Sequence, residues 1–315
     1  MKTDVSISYS GLRAVHSAVA KTVLPLAIRS SIRPLWASNR ISVPTLRRIT
    51  GALLSNGWVP RDVAISEESL KGMRTEVIRP AAGAGDNVVF YVHGGGYVVC
   101  SPRTHRPLTS RLALALNATV YVPHYRLAPE FPFPHGLNDV LAAYEALLAS
   151  GVDASRITLM GDSAGGGMAL SLAISIRDKK LAMPGRMILI SPWTDLTLSG
   201  ESLSTKASAD HMLTLSWIHA KTPLYRGKTD ANHPLLSPLF ADLSGLPPTL
   251  VQTGSEEILL SDSERLAERA AEIGWDLQLT VWQGMWHDFQ LLGDLLPEAD
   301  DAIAAMARFV ALRDR

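Results

Sequence analysis

Residues 156–168 read Arg156-Ile157-Thr158-Leu159-Met160-Gly161-Asp162-Ser163-Ala164-Gly165-Gly166-Gly167-Met168. Arg156 to Met160 has the apolar, β-type texture of a short buried strand, and Met168 to Ile176 has that of a helix. Ser163 stands between them in a Gly-x-Ser-x-Gly turn, which puts its hydroxyl on a strand-to-helix corner. Glycines at 161 and 165 suit that corner, because a side chain there would collide with neighbouring backbone. A second glycine turn, His93-Gly94-Gly95-Gly96, follows another apolar run, Val88 to Val92. Together the two turns can supply a nucleophile and a cradle for its intermediate.

Working outward, β-branched and aromatic runs recur at Val77-Ile78, Thr119 to Val122, Met187 to Ile190, Leu250-Val251 and Leu277 to Val281. Helical patterns lie between them: Thr104 to Leu116, Asn138 to Ser150, Gly166 to Arg177, Asp262 to Ile273 and Glu298 to Leu312. Strands alternating with helices of this length predict an α/β chain with a mostly parallel central sheet flanked by helices. Two stretches stand outside the alternation. The first ~65 residues show no alternating strand and read as helices over Ser10 to Ser30, Pro44 to Ser55 and Ser66 to Met73. Leu196 to Leu239 breaks the rhythm after Trp193. Both are expected to form a helical cap over the carboxyl edge of the sheet, where open α/β sheets bind ligands.

The chain has 315 residues, 47% of them hydrophobic, with 30 Lys and Arg against 30 Asp and Glu. A balanced surface gives no electrostatic reason for nucleic acid as a partner. The single cysteine, Cys100, leaves no internal disulfide framework, fits a reducing compartment, and reads as a small apolar residue. No stretch reaches the ~18 apolar residues of a membrane span. The N-terminus lacks a secretory pattern, since Asp4 precedes a polar stretch and Ala14 to Ile28 is broken by His16, Lys21 and Pro25. That stretch is expected to pack on its own protein rather than lie on a membrane, because its apolar positions need only one partner face. The expectations are a cytoplasmic location and no stable membrane anchoring.

A serine hydroxyl needs a base, and the base needs an orienting group. In the order nucleophile, acid, histidine, the base falls on His287, on a loop after the run Leu277 to Val281. His211, His219 and His233 lie in the second cap stretch, and His105 begins a helix. Three carboxylates compete for the acid after Leu250-Val251: Glu256, Glu257 and Asp262. Asp262 reads as a cap of the following helix, and Glu257 is favoured over Glu256. The oxyanion donors are expected from the N–H groups of Gly95, Gly96 and Ala164, with His93 organising the glycine loop. An apolar pocket is expected from Met212, Leu213, Trp217 and Trp286, although these residues read equally as the cap's own core, the favoured reading for Trp217.

His93-Gly94-Gly95-Gly96-Tyr97, Tyr125-Arg126-Leu127-Ala128-Pro129-Glu130, the Ser163 turn, Ser191-Pro192-Trp193-Thr194-Asp195-Leu196 and Gly284-Met285-Trp286-His287 resemble the bacterial hormone-sensitive-lipase-like esterases. The match runs from about Thr75 to the C-terminus. The resemblance implies an α/β-hydrolase fold with a two-part helical cap: residues 1–70 and 196–239 as cap, 71–195 and 240–315 as catalytic domain. It also implies hydrolysis of carboxylic esters through an acyl-enzyme, with neither cofactor nor metal. The family's acid commonly stands in a Gly-x-x-Asp motif, whose position here is Glu257, a glutamate where aspartate is usual. Family members often pair through the edge strand and last helix, which adds a homodimer to the expectations. The rivals are a lactonase, deacetylase or amidase with the same machinery, and a non-catalytic ligand-binding protein of the kind that plant gibberellin receptors resemble. The last would be expected to lack a triad member, whereas Ser163 and His287 are both present.

Overall fold

The runs of β-branched and aromatic residues pair into one sheet. The structure, a computed structural model, describes residues 1–38 and 40–313. Its strands are β1 (Lys2–Val5), β2 (Val63–Leu70), β3 (Met73–Pro80), β4 (Asn87–Val92), β5 (Ala118–Pro123), β6 (Ile157–Asp162), β7 (Arg186–Ile190), β8 (Thr249–Gly254) and β9 (Leu277–Trp282). They lie in the order β1-β9-β8-β7-β6-β4-β5-β3-β2. β2 and β3 pair antiparallel, as do β3 and β5, and every other neighbouring pair is parallel. β6 is buried along its whole length near the middle of the sheet, as a strand covered on both faces must be.

The helices are α1 (Gly11–Ser30), α2 (Ile32–Ala37), α3 (Val43–Leu54), α4 (Pro102–Ala115), α5 (His135–Ala149), α6 (Ser163–Asp178), α7 (Ser202–Thr205), α8 (Leu215–Arg226), α9 (Leu260–Ile273) and α10 (Pro297–Ala311). Leu137 and Leu147 of α5, Met168 and Leu172 of α6, and Leu266 of α9 join one apolar core. Leu108 and Leu112 of α4 and Ile303, Met306 and Phe309 of α10 join the other. Helices thus cover both faces of the sheet. Among the described residues, no helix is long and apolar enough to cross a membrane.

Three expectations about the N-terminal part need correction. Ser66 to Met73 is not helical: Val63–Leu70 is β2, paired residue for residue with β3. Glu67 and Glu68 form ion pairs with Arg74 and Arg79 of β3, so pairing overrides a locally helix-like composition. Lys2–Val5 is also a strand, lying parallel to β9, so residues 2–5 and 63–70 of the expected cap stand in the sheet. Finally, α1 packs through Ser17, Ala20 and Ile28 but leaves Leu12, Val15, Val19, Val23 and Leu26 exposed. Its apolar residues therefore occupy two faces, not one.

Candidate active site

β6 ends at Asp162 and α6 begins at Ser163, whose φ of 52° lies in the left-handed region. A non-glycine residue is held there only when its surroundings enforce it. The surroundings are tight. A Cβ on Gly165 would lie 2.1 Å from the Val92 carbonyl oxygen, and one on Gly161 would lie 2.4 Å from that of Gly165. The serine is 6% exposed at this corner.

Two loops at the carboxyl ends of β8 and β9 meet the serine. His287 Nε2 lies 2.9 Å from Ser163 Oγ, and His287 Nδ1 lies 2.8 Å from Glu257 Oε2. The other oxygen, Glu257 Oε1, accepts from the Gly254 N–H at 3.0 Å and from Thr253 Oγ1. The Glu257 carboxylate only accepts, so Nδ1 carries a proton, and in the neutral imidazole Nε2 is the nitrogen able to take one from Ser163. The loops are locked together, with the Glu256 N–H donating to Met285 O and the Ser255 N–H to Trp282 O. Glu257 is fully buried, and burying such a charge without these partners would cost several kcal/mol.

Of the competing carboxylates, Glu256 is partly exposed, 3.8 Å from Lys206, and does not reach His287. Asp262 is not a helix cap either. It accepts from the Thr194 and Asp195 N–H groups at 2.7 and 2.8 Å, holding the chain that leaves β7. Burial, with Asp195 nearby, pushes its carboxyl up to about 7.

Opposite the histidine, the glycine turn after β4 has φ of 110° at Gly95 and 60° at Gly96. A Cβ on Gly95 would lie 2.3 Å from Val99 O, so glycine is required at this position. The Gly95 and Gly96 N–H groups donate to no acceptor among the described residues. Ala164 lies in the first turn of α6, where the helix itself offers its N–H no acceptor. The turn is braced by Asp162, whose Oδ1 accepts from Tyr91 and from the Gly94 N–H, and whose Oδ2 lies 3.1 Å from His105 Nε2. Burial works against this carboxylate, but His105 and Tyr91 hold its pKa below the usual value. His93 stacks on Tyr125 at 4.3 Å, and burial pushes its imidazole down to about 3, so it stays neutral as an organiser of the loop.

Two neighbours of the relay escaped the sequence reading, Thr253 and Asp288, and His105 was placed only at a helix start. Asp288 directly follows His287 and has φ of 53°. Its Oδ2 lies 3.1 Å from His287 Nε2, on the side that faces Ser163. Burial opposes a charged His287, yet Asp288 and Glu257 outweigh it and raise its pKa well above the ordinary value. Burial also pushes Asp288 itself up to about 7.

A cavity of about 310 Å³ opens beside Gly95, Asp162 and Asp288. Its apolar wall comes from Ile28, Ile32, Trp36, Leu54 and Trp58, from Leu291, Leu292 and Leu295 after β9, and from Met212 after β7. Of the residues expected at the pocket, Met212 lines it, and Trp217 takes the core position favoured for it. Trp217 is core, stacked on Trp36 at 4.9 Å and packed over Gly96, and Leu213 and Trp286 are buried away from the cavity. Cys100 lines the cavity as a neutral thiol, pushed up to about 12 by burial.

A serine at a strained corner, an imidazole bridging it to a buried carboxylate, and free N–H groups opposite can perform acyl transfer. Known proteins agree. A family described as alpha/beta hydrolase fold matches residues 89–291. An esterase of Acinetobacter venetianus is 38% identical over 80% of this chain and 83% of its own. An acetyl-hydrolase of Streptomyces hygroscopicus is 39% identical over 75% of this chain and 78% of its own. The crystal structure of an esterase from the bacterial hormone-sensitive lipase family superposes with a TM-score of 0.87 at 36% identity, covering 98% of this chain and 99% of that one. The chain belongs to the α/β-hydrolase family, among the hormone-sensitive-lipase-like esterases, and is a carboxylic ester hydrolase.

Proposed function

We propose that Ser163, His287 and Glu257 are the catalytic triad of an esterase for short and medium acyl chains, working through an acyl-enzyme. The observation that carries this reading is the imidazole bridge, 2.9 Å to Ser163 and 2.8 Å to Glu257. Ser163 Oγ attacks the ester carbonyl carbon as its proton passes to His287 Nε2, and Glu257 steadies the imidazolium. The oxyanion rests on the N–H groups of Gly95, Gly96 and Ala164. His287 returns the proton to the leaving alcohol, and the C–O bond breaks to give the acyl-serine. Water, deprotonated by the same imidazole, then releases the acid and restores Ser163.

The helical cap in this reading consists of α1 to α3 and residues 196–239. Its support is the stacking of Trp36 of α2 on Trp217 of α8, above Gly96. The cavity these helices wall is small, at the low end of the ~300–1,000 Å³ range of small-molecule sites. A panel of p-nitrophenyl esters of graded length tests it. The kcat/KM should peak at about four to eight acyl carbons and fall steeply beyond about twelve. A maximum at palmitate, or faster turnover of matched lactones or amides, contradicts the assignment.

Asp288 has a visible consequence for pH. Attack needs neutral His287, so activity falls as pH drops through the pKa of this imidazole. A second carboxylate beside Nε2 raises that pKa and moves the acid limb to higher pH. Asp288→Asn removes the charge and should shift the acid limb of kcat/KM to lower pH by about one unit. A limb that stays in place, or moves upward, contradicts this role for the carboxylate.

A further inference from the structure

Charge is divided unevenly along this chain. Between Asp4 and Asp62 there is no Asp or Glu, but eight Lys and Arg. With 30 residues of each sign overall, that stretch holds +8 and the remainder −8. Arg13, Lys21 and Arg47 are answered by Asp301, Glu298 and Glu130. Arg40, Arg48 and Arg61 are exposed and form no ion pair with a carboxylate among the described residues, whereas Arg29 donates to His211 Nδ1 and to the Ser208 and Ala209 carbonyl oxygens.

The same stretch carries the exposed stripe of α1. Leu12, Val15, Val19, Val23 and Leu26 are 89%, 61%, 54%, 54% and 64% exposed. At 100° per residue they fall within an arc of about 80°, while buried Ser17 and Ile28 lie on the opposite side. A lone exposed apolar side chain needs no explanation, but five aligned on one helix do. A second copy of the chain would pair most simply about a two-fold axis, setting this acid-free stretch against itself. Like charges oppose that arrangement, and an anionic surface relieves it.

We propose that the outer face of α1 docks reversibly on a lipid surface rich in anionic headgroups. The stripe enters the boundary between headgroups and acyl chains, and the unpaired arginines of the stretch meet the lipid phosphates. The helix lies on the surface and does not span it. Its inner face supplies Ile28 to the cavity wall, so one helix separates the lipid from the substrate site.

The full chain is tested by co-sedimentation with vesicles of phosphatidylglycerol and, separately, of phosphatidylcholine. Binding should favour the anionic vesicles by at least about tenfold and weaken as salt screens the charges. The exposed-face variant Leu12→Ser/Val19→Ser/Leu26→Ser should lose about tenfold in vesicle binding. It should keep wild-type kcat/KM on p-nitrophenyl acetate, which shows that it folds. Absence of binding to phosphatidylglycerol, or equal binding to phosphatidylcholine, overturns the proposal. So does a dimer in sedimentation velocity that the triple variant dissociates while the wild type ignores vesicles.

Discussion

Glu257→Gln lowers kcat by about 10⁴-fold with the fold intact, the loss expected when the histidine of a triad is held in the wrong tautomer. The size of the effect follows from which atoms Glu257 serves. Its Oε1 accepts from the Gly254 N–H and Thr253 Oγ1, two donors that persist in the variant. The single carbonyl oxygen of the glutamine stays with them, and the amide NH₂ then faces His287 Nδ1. Nδ1 must accept, the ring proton moves to Nε2, and the base that Ser163 needs is gone. Glu256→Gln should remain within about twofold of wild type, because its side chain is 36% exposed and does not approach His287. Asp262→Asn should lower thermal stability more than kcat, since its carboxylate ties down Thr194 and Asp195. Turnover by Glu257→Gln near the wild-type value, measured beside circular dichroism of each variant, would place the acid elsewhere.

Ser163→Ala is the larger loss, on the order of 10⁶-fold in kcat, because members of a triad act as a unit and nothing else in the site replaces the attacking oxygen. Cys100, which lines the cavity beside Asp162 and Asp288, does not replace it, because burial keeps its thiol protonated. Alanine keeps the φ demanded at the corner at no added steric cost, so the variant should melt within a few degrees of wild type. The residual rate measures what the oxyanion donors and the cavity do alone.

The centre of the fold was legible because its local signals agree with its burial. β4 and β6 to β9 lie in apolar runs, and the Gly-x-Ser-x-Gly corner sits where a strand pattern gives way to a helical one. The flanks were not. Ser66-Glu67-Glu68-Ser69 resembles a polar helix start, and only its pairing with β3 makes it a strand. β1 has four residues and is specified by β9, more than 270 positions away. The site divides in the same way. Ser163 and His287 were named as candidates from order and local texture. Choosing among three carboxylates within seven residues depends on which side chain the loop turns inward, which no spacing states. Asp288 was hidden beside His287, since adjacent residues in a loop face together only when the backbone takes an unusual turn, here φ of 53°. The cavity wall was misplaced for a related reason. Trp286 looks like a pocket residue by size, but the core buries it, as it buries Trp217, while Trp36 and Trp58 face the cavity.

Covalent labelling probes the nucleophile itself. A fluorophosphonate should add one adduct per chain, and peptide mapping by mass spectrometry should place it on Ser163. Labelling should fade in His287→Ala, and Ser163→Ala should show neither adduct nor ester turnover. An adduct on any other residue, or turnover surviving in Ser163→Ala, contradicts the account.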